Sequence, residues 1–212
     1  LDQGGHASRA LVFDRRGTLQ VSALREVDVR EPRPDWVEQD PEELVTSLQA
    51  VIAKAMTSLG DSAGRITCAG LATQRSTIVC WERSSGRALT SAISWQDRRN
   101  AAWLERLNPA AAAIREKTGL VLSPHYGASK LRWCLDNVPA VQRAARSNDL
   151  AAGPLASFLL SRLLEEKPVT PEMPTTGSPA SERVRAVPPV ETSSTPRAVR
   201  PRANSTRPAF SE

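Results

Sequence analysis

Apolar and polar residues alternate with a period of two near the start of the chain, as they do in strands that are buried on one face. Residues 9–14 and 18–27 both follow this pattern. The turn-forming sequence from Asp14 to Gly17 separates the two runs. Two such runs around a short turn predict a β-hairpin.

A second pattern, with the period of an amphipathic helix, follows a loop marked by Pro32 and Pro34. Asp40 stands where an N-cap is expected, Pro41 takes the first helical position, and Gly60 ends the segment. Each of these residue types is favoured at that place in a helix. The apolar stripe consists of Leu44, Leu48, Val51, Ala55 and Leu59.

The rest of the patterned region mixes strands with helices. Residues 65–73, RITCAGLAT, form a continuous apolar run, which is typical of a strand buried on both faces. Residues 76–83 and 88–94 flank a Ser-Ser-Gly-Arg turn and predict a second hairpin. Helical patterns then dominate from Asp97 to Leu164. This order of elements predicts a mixed α/β or α+β domain.

The composition narrows the classes of function. The 212 residues carry a net charge of +5, and only 4% of them are aromatic. Because the basic residues are scattered and the aromatic residues are few, we expect no nucleic-acid partner. No run approaches the roughly 20 apolar residues of a membrane span, and no secretory signal is visible. We therefore expect no membrane partner and a cytoplasmic location.

The cysteines and histidines give no metal or disulfide pattern. The chain has three cysteines, Cys68, Cys80 and Cys134, so they cannot all pair with one another. No two of them have Cys-x-x-Cys spacing. Buried reduced thiols therefore fit better than a disulfide framework or a metal site. His6 and His125 lie far apart in the sequence, so their spacing is not that of a zinc site.

The composition changes sharply near Lys167. Nine of the sixteen prolines lie beyond it, and the large apolar residues there are isolated rather than periodic. Such a segment buries too little apolar surface to offset the entropy cost of ordering it. We predict a folded domain over residues 1–166 and a disordered tail, rich in Pro, Arg and Ser, over residues 167–212.

The opening sequence, LDQGGHASRALVFDRRG, places an acid and a glycine pair between two strand-like runs. The backbone at Gly4 and Gly5 allows a phosphate to approach closely, and successive N–H groups in such a turn form an anion-binding nest. Asp2 is a candidate for holding a divalent metal ion that bridges phosphates. The alternative is a plain hairpin with an acid on its surface.

Polar side chains also follow two later strand-like segments. Arg75 comes at the end of the predicted buried strand, and Trp95 stands at a strand-to-helix junction. Ligands bind α/β sheets at strand ends. A guanidinium offers several donors to hydroxyls or an anion, and an indole offers a flat wall to the carbon side of a polyol. A structural ion pair and a core aromatic residue are the competing interpretations.

Several long segments together resemble the N-terminal domain of the FGGY carbohydrate kinases, with the glycerol kinase branch as the nearest match. The opening DQGGHASR resembles the phosphate loop D-Q-G-T-T-S-S-R, and TQRSTIVCW resembles N-Q-R-E-T-T-V-V-W. AISWQDRR resembles A-I-V-W-Q-D-R-R, and PDWVEQDPEEL resembles P-G-W-V-E-H-D-P-E-E-I. IREKTGLVLSPHYGASKLRW resembles I-R-E-K-T-G-L-x-x-D-P-Y-F-S-A-T-K-L-x-W. The matches cover about residues 1–165.

The resemblance implies an α/β fold of the ribonuclease-H-like type, found in actin and hexokinase, as the first of the usual two domains. It implies ATP-dependent phosphorylation of a polyol or sugar hydroxyl, with ATP and Mg²⁺ as cofactors. By this resemblance, the residues expected at the nucleotide phosphates are Asp2, Gly4, Gly5, His6 and Arg9, with Asp2 also at the metal. The residues expected at the acceptor are Arg75, Ser76, Trp95 and His125.

The chain departs from the family pattern at both groups of residues. The three hydroxyl residues of the phosphate loop are replaced by Gly5, His6 and Ala7, and a glutamate is replaced by Ser76. His125 replaces a tyrosine. Each lost hydrogen bond to a charged group is worth on the order of 1.5–3 kcal/mol. These changes weigh against glycerol and leave xylulose- or gluconate-type acceptors as the alternative.

The sequence contains no G-D-Q stretch, where the family carries its catalytic aspartate. We therefore expect a fragment with an incomplete first strand, without the second domain, with no catalytic residue of its own and little activity alone. The alternatives are a non-catalytic regulatory pseudokinase and a truncated gene product whose tail is translated out of frame. Homo-oligomerisation of an intact family member is left open.

Overall fold

The computed structural model describes residues 1–164, which form eight strands and six α-helices. The strands are β1 (Asp2–Gln3), β2 (Ala7–Phe13), β3 (Leu19–Glu26), β4 (Glu38–Gln39), β5 (Ala72–Thr73), β6 (Ile78–Glu82), β7 (Ala92–Ile93) and β8 (Leu150–Pro154). The helices are α1 (Pro41–Leu59), α2 (Ala101–Glu105), α3 (Ala111–Thr118), α4 (Gly127–Asn137), α5 (Pro139–Arg146) and α6 (Leu155–Leu163). Short 3₁₀ helices cover Gly60–Arg65 and Asn108–Ala110.

The first sheet has the strand order β3-β2-β1-β5. β2 and β3 form the hairpin that the sequence predicts, and β1 pairs antiparallel with β2 and parallel with β5. The sheet is therefore mixed. Its parallel pair brings the segment after Gln3 beside the segment after Thr73, because Gln3 pairs with Thr73.

The second sheet has the order β4-β7-β6-β8, and all three of its strand pairs are antiparallel. β6 and β7 form the second predicted hairpin, in which Ile78 faces Ile93. β8 pairs with β6 along its whole length, from Ile78 with Pro154 to Glu82 with Leu150. β8 lies between two of the predicted helical segments, and no alternation in the sequence indicated its position.

Helix α1 forms with the predicted caps, and its apolar stripe packs against the first sheet. The side chain of Asp40 accepts a hydrogen bond from the amide of Glu42, so Asp40 is the N-cap, and Gly60 is the C-cap with φ of 52°. Leu44, Leu48 and Val51 are at most 1% exposed. They form one core with strands β2, β3 and β6 and with helix α6.

A second apolar core lies between β6 and the helices α4 and α5. Cys80 of β6 and Cys134 of α4 are both fully buried in it. A hydrogen bond with Cys134, together with burial, raises the pKa of the Cys80 thiol well above its usual value. Cys68 is exposed, so the expectation of three buried thiols is wrong for that residue.

The prediction of a buried strand over residues 65–73 is wrong. Only Ala72 and Thr73 form a strand, and the segment before them is largely exposed, with Ile66 at 41% exposure. β5 pairs with β1, and the last bonds of this ladder join Leu1 to Gly70 and Ala72. Residues before Gly70 therefore have no neighbouring strand within residues 1–164.

The predicted tail over residues 167–212, and the domain boundary placed at residue 166, lie outside the described residues. Among residues 1–164, no helix is both long and apolar enough to cross a bilayer.

Candidate functional site

The turn between β1 and β2 carries the residues that the sequence points to as a phosphate loop. Asp2 and Arg9 face each other across the strand pair, and Nη1 of Arg9 lies 3.0 Å from Oδ2 of Asp2. Both side chains are more than a third exposed, so this ion pair is worth less than about 1 kcal/mol. The pair leaves Oδ1 of Asp2 without a protein donor among residues 1–164.

The glycine turn itself presents backbone to open space. The amide of Gly4 closes the turn by donating to the carbonyl of Ala7 at 2.9 Å. A Cβ at Gly4 would lie 3.3 Å from that carbonyl oxygen, whereas a Cβ at Gly5 would meet nothing within 4 Å. Within residues 1–164, the N–H groups of Gly5 and His6 donate to no protein acceptor. Two adjacent free N–H groups at an open turn suit an anion.

Buried hydroxyl and amide groups hold this turn in place from below. Ser8 donates from Oγ to Oε1 of Gln3 at 2.7 Å, and Nε2 of Gln3 donates to the carbonyl of Gly4 at 3.2 Å. Oγ of Ser8 also lies 2.6 Å from Oγ of Ser47 on helix α1. All three side chains are fully buried. The exposed turn therefore rests on a rigid polar base inside the core.

A chain of side-chain amides connects this turn to the segment after β5. Nε2 of Gln39 donates to the carbonyl of Gly5 at 2.9 Å, and Oε1 of Gln39 accepts a short hydrogen bond from Nε2 of Gln74. Oε1 of Gln74 accepts from the hydroxyl of Thr77 at 3.1 Å. The same hydroxyl accepts from the amide of Trp95 at 3.1 Å. The glycine turn and the two later strand ends are thus joined by hydrogen bonds.

Arg75 and Ser76 form the tip of the tight turn between β5 and β6. The Gln74–Thr77 bond closes this turn, and Ser76 has φ of 64°, in the left-handed region. Arg75 is exposed and forms no ion pair or hydrogen bond within the described part of the chain. The turn thus presents one cation beside a hydroxyl.

Trp95 and His125 lie against each other. Their ring centroids are 5.5 Å apart with an interplanar angle of 62°, and His125 makes a similar edge contact with Tyr126. Trp95 remains 40% exposed, so part of the indole is open to solvent. Gly127, the first residue of α4, packs directly against Ile78 two residues after Ser76. The structure therefore brings Ser76, Trp95 and His125 into one region.

A buried charge cluster, which the sequence did not reveal, begins two residues after Trp95. Asp97 is 1% exposed and forms two hydrogen bonds with the guanidinium of Arg99, which also reaches Glu38 at 2.6 Å. The guanidinium stacks on the rings of Trp36 and Trp133. The run Trp-Gln-Asp-Arg-Arg was visible in the sequence, but nothing local showed which arginine turns inward.

Lys130 supports the His125 segment from inside the protein. Its Nζ donates to the carbonyls of Pro124 and His125, both at 2.7 Å, and the residue is 1% exposed. Burial, partly offset by the negative charge of Asp97, lowers the pKa of Lys130 to about 8. No local sequence signal indicated this contact, because the lysine reaches backbone carbonyls five and six residues earlier.

The glycine turn suits a magnesium–nucleotide complex in part. Mg²⁺ keeps several waters and is bound by one or two carboxylates together with phosphate oxygens. Asp2 offers one carboxylate oxygen that is free of Arg9, and the adjacent N–H groups of Gly5 and His6 suit the phosphates. Among residues 1–164, no group of three or more His, Cys, Asp or Glu residues could hold a metal ion alone.

Comparison with known proteins gives consistent results. The model of the N-terminal domain of the FGGY family of carbohydrate kinases matches residues 1–178. A glycerol kinase from Methylibium petroleiphilum is 42% identical over 167 residues, which make up 77% of this chain and 33% of that protein. One from Bordetella pertussis is 41% identical over 165 residues, 77% of this chain and 32% of that protein.

Solved structures show the same relationship at the level of the fold. The crystal structure of Plasmodium falciparum glycerol kinase with ADP superimposes with a TM-score of 0.71 at 24% identity, covering 76% of this chain and 32% of that one. A xylulose kinase from Rhodospirillum rubrum gives 0.71 at 23% identity, covering 78% and 34%. The chain spans about a third of the length of these relatives. It has the actin- and hexokinase-like ATPase fold and belongs to the FGGY family of carbohydrate kinases, as a glycerol-kinase-like N-terminal domain.

Proposed function

We propose that this chain forms the acceptor-binding half of a carbohydrate kinase cleft, whose reaction is ATP-dependent phosphorylation of a polyol or sugar hydroxyl. The observation that carries the proposal is the chain of hydrogen bonds from Gly5 through Gln39, Gln74 and Thr77 to Trp95. It ties an anion-binding turn to an exposed cation and an exposed aromatic wall. Phosphoryl transfer depends on holding two reactants in such a fixed relation.

Each group has a role that follows from its chemistry. Arg75 would bind acceptor hydroxyls through its guanidinium, and Trp95 would cover the C–H face of the acceptor. Ser76 and His125 would add hydrogen bonds from either side. These four residues remain predicted site residues, supported by the contact between Trp95 and His125 and by the exposure of Arg75.

The nucleotide would meet this chain through its phosphates. The N–H groups of Gly5 and His6 would donate to phosphate oxygens, and Arg9 would add positive charge next to Gly4. Asp2 would hold Mg²⁺, which when bound neutralises the phosphate charge. Because Ala7 is buried and lacks a hydroxyl, this contact relies on backbone donors.

The family's proton-accepting aspartate has no counterpart among the residues assigned here. We therefore expect this chain to bind its ligands but to turn them over slowly or not at all. Residues 1–164, which the structure describes, would supply these contacts. A regulatory protein that binds the same ligands without turnover would share these contacts, and the two proposals differ in the activity of the longer protein.

Isothermal calorimetry on the 212-residue chain tests the proposal, with glycerol, D-xylulose and Mg-ADP as ligands. We expect binding of at least one polyol or ketose in the millimolar range, lost in Arg75→Ala and in Trp95→Ala. The matched control is Arg146→Ala, because Arg146 is also an exposed arginine but lies on helix α5. This variant should bind the ligands like the parent. If no ligand binds to a chain whose circular dichroism shows a folded domain, the proposal is wrong.

A further inference from the structure

We propose that Lys130 is a positioning residue for the acceptor site, because it holds the turn that carries His125 and thereby keeps the imidazole of His125 against the indole of Trp95. This inference rests on the proposed function, since it names the residue that holds one wall of the same site. Lys130 is 1% exposed, so it acts through these residues and does not contact the acceptor itself.

The turn before helix α4 depends on Lys130 for its hydrogen bonds. Nζ of Lys130 donates to the carbonyls of Pro124 and His125, both at 2.7 Å, and no other group within residues 1–164 donates to either oxygen. Tyr126, in the N-cap position of α4, makes no side-chain cap hydrogen bond. Hydrogen bonds from an ammonium group are about twice as strong as those between neutral groups. One side chain therefore fixes the orientation of two successive peptide groups.

These two peptide groups lie on either side of the Cα of His125, so they set the direction in which its side chain leaves the backbone. Within the described part of the chain, His125 forms hydrogen bonds only through its amide and its carbonyl, and none through the imidazole. The ring makes edge contacts with Trp95, at a centroid distance of 5.5 Å, and with Tyr126, at 5.4 Å. Because no polar partner holds the ring, its place against Trp95 depends on the backbone that Lys130 fixes.

The charge of Lys130 has no acid of its own. Lys130 takes part in none of the ion pairs formed within residues 1–164. Asp97, the acid whose charge acts on it, already accepts hydrogen bonds from the guanidinium of Arg99 and from the amide of Val37. A buried ammonium group without an ion-pair partner destabilises a fold relative to an apolar side chain. The two carbonyls are thus the contacts that distinguish a lysine from an apolar residue here, and Lys130→Met should still fold.

NMR of the full chain tests this inference without a ligand. The chain has two histidines, His6 and His125, so labelling histidine with ¹³C gives two ring Cε1–H signals, which His6→Gln assigns. The ring current of the indole should displace the His125 signal in the parent, and Trp95→Leu should remove this displacement. We expect Lys130→Met to remove most of it as well, while the His6 signal stays in place. Lys54→Met, at an exposed lysine on helix α1, is the matched control and should leave both signals unchanged.

Calorimetry with glycerol, D-xylulose and Mg-ADP adds the binding readout. We expect Lys130→Met to bind the polyol or ketose about tenfold more weakly than the parent, because the displaced ring no longer completes the wall. Mg-ADP, which would meet the glycine turn, should bind to this variant as it does to the parent. A general loss of structure would weaken the binding of both kinds of ligand, so this difference separates positioning from folding. Lys54→Met should bind every ligand like the parent.

The inference is wrong if Trp95→Leu leaves the His125 signal in place, or if Lys130→Met does. It is also wrong if the signal moves in Lys130→Met and the acceptor still binds as tightly as before. If neither Lys130→Met nor Lys130→Gln gives a folded chain by circular dichroism, Lys130 supports the whole domain, and the positioning role fails. If the parent binds no acceptor, the proposed function fails, whereas the NMR signal still decides whether Lys130 holds the ring.

Discussion

The side-chain amide of Gln74 donates a hydrogen bond to the side-chain oxygen of Gln39, which lies 35 residues earlier in the chain. Gln39 is 2% exposed and reaches the carbonyl of Gly5 with its own NH₂ group. The bond joins the second sheet to the end of the first, because Gln39 ends β4 and Gln74 directly follows β5. It is the direct link between the glycine turn and the Arg75 turn.

Replacing Gln39 by leucine should break this link. The change leaves the half-buried amide of Gln74 and carbonyl of Gly5 without this partner, and an unsatisfied buried polar group costs at most about 1–3 kcal/mol. We expect the free energy of unfolding, measured by urea titration, to fall by about that amount. Gln20→Leu on exposed strand β3 is the control, expected within about 0.5 kcal/mol of the parent. Equal losses in the two variants would contradict this role for Gln39.

Replacing Asp97 by asparagine should destabilise the domain strongly. Arg99 and Asp97 are almost completely buried, so the change leaves a guanidinium with half of its compensating charge. Removing one partner of a buried ion pair costs about 3–5 kcal/mol. Thermal unfolding measures the loss as a lower Tm.

The matched control for Asp97 is Asp136→Asn. Asp136 forms an i,i+4 pair with Arg132 on helix α4, with both side chains at least 40% exposed. An exposed pair of this kind contributes less than about 0.5 kcal/mol. A Tm for Asp97→Asn that matches the Tm of this control would show that the buried cluster adds no stability.

The stability of the domain should depend on pH through Lys130. The pKa of this residue falls from 10.5 to about 8 on folding, so between these pH values the unfolded chain binds more protons than the native state. The contribution of Lys130 to stability therefore rises with pH, by at most about 1.4 kcal/mol per pH unit. We expect the parent to gain stability relative to Lys130→Met as the pH rises from 8 to 10.5.

Lys54→Met provides the comparison for this titration, since Lys54 lies exposed on helix α1. The difference between the parent and this variant should stay flat over the same pH range. Taking differences between variants cancels the opposite contribution of Cys80, whose raised pKa makes its stabilisation disappear as pH rises. A constant difference for Lys130→Met would mean that Lys130 keeps its usual pKa.

Replacing Gly127 by alanine should strain the start of helix α4. The new Cβ would lie 2.7 Å from Cγ2 of Ile78, which is closer than two carbon atoms can approach without a shift. Overpacking of this kind costs about 1–3 kcal/mol. Gly64→Ala, where a Cβ meets nothing within 4 Å, should be near neutral in the same denaturant titration. Two near-neutral variants would show that α4 moves freely relative to β6.

Local sequence signals correctly predicted the elements whose bounds depend on neighbouring residues. Helix α1 begins at Pro41 and ends at Leu59 because the Asp40 cap and the Gly60 terminator act within a few residues. The hairpin of β2 and β3 likewise follows from a turn at Asp14–Gly17 and from alternation on either side. The family resemblance, carried by ordered motifs, extended this to the fold class.

Only the tertiary structure decided which segments pair and which side chains turn inward. The apolar run at residues 65–73 has the composition of a buried strand, yet within residues 1–164 only Ala72 and Thr73 pair, with β1. Strand β8 forms because β6 lies beside it, and Arg99 rather than Arg98 fills the core because Asp97 and Glu38 face it. Strand pairing and burial depend on partners tens of residues away, so no local pattern contains them.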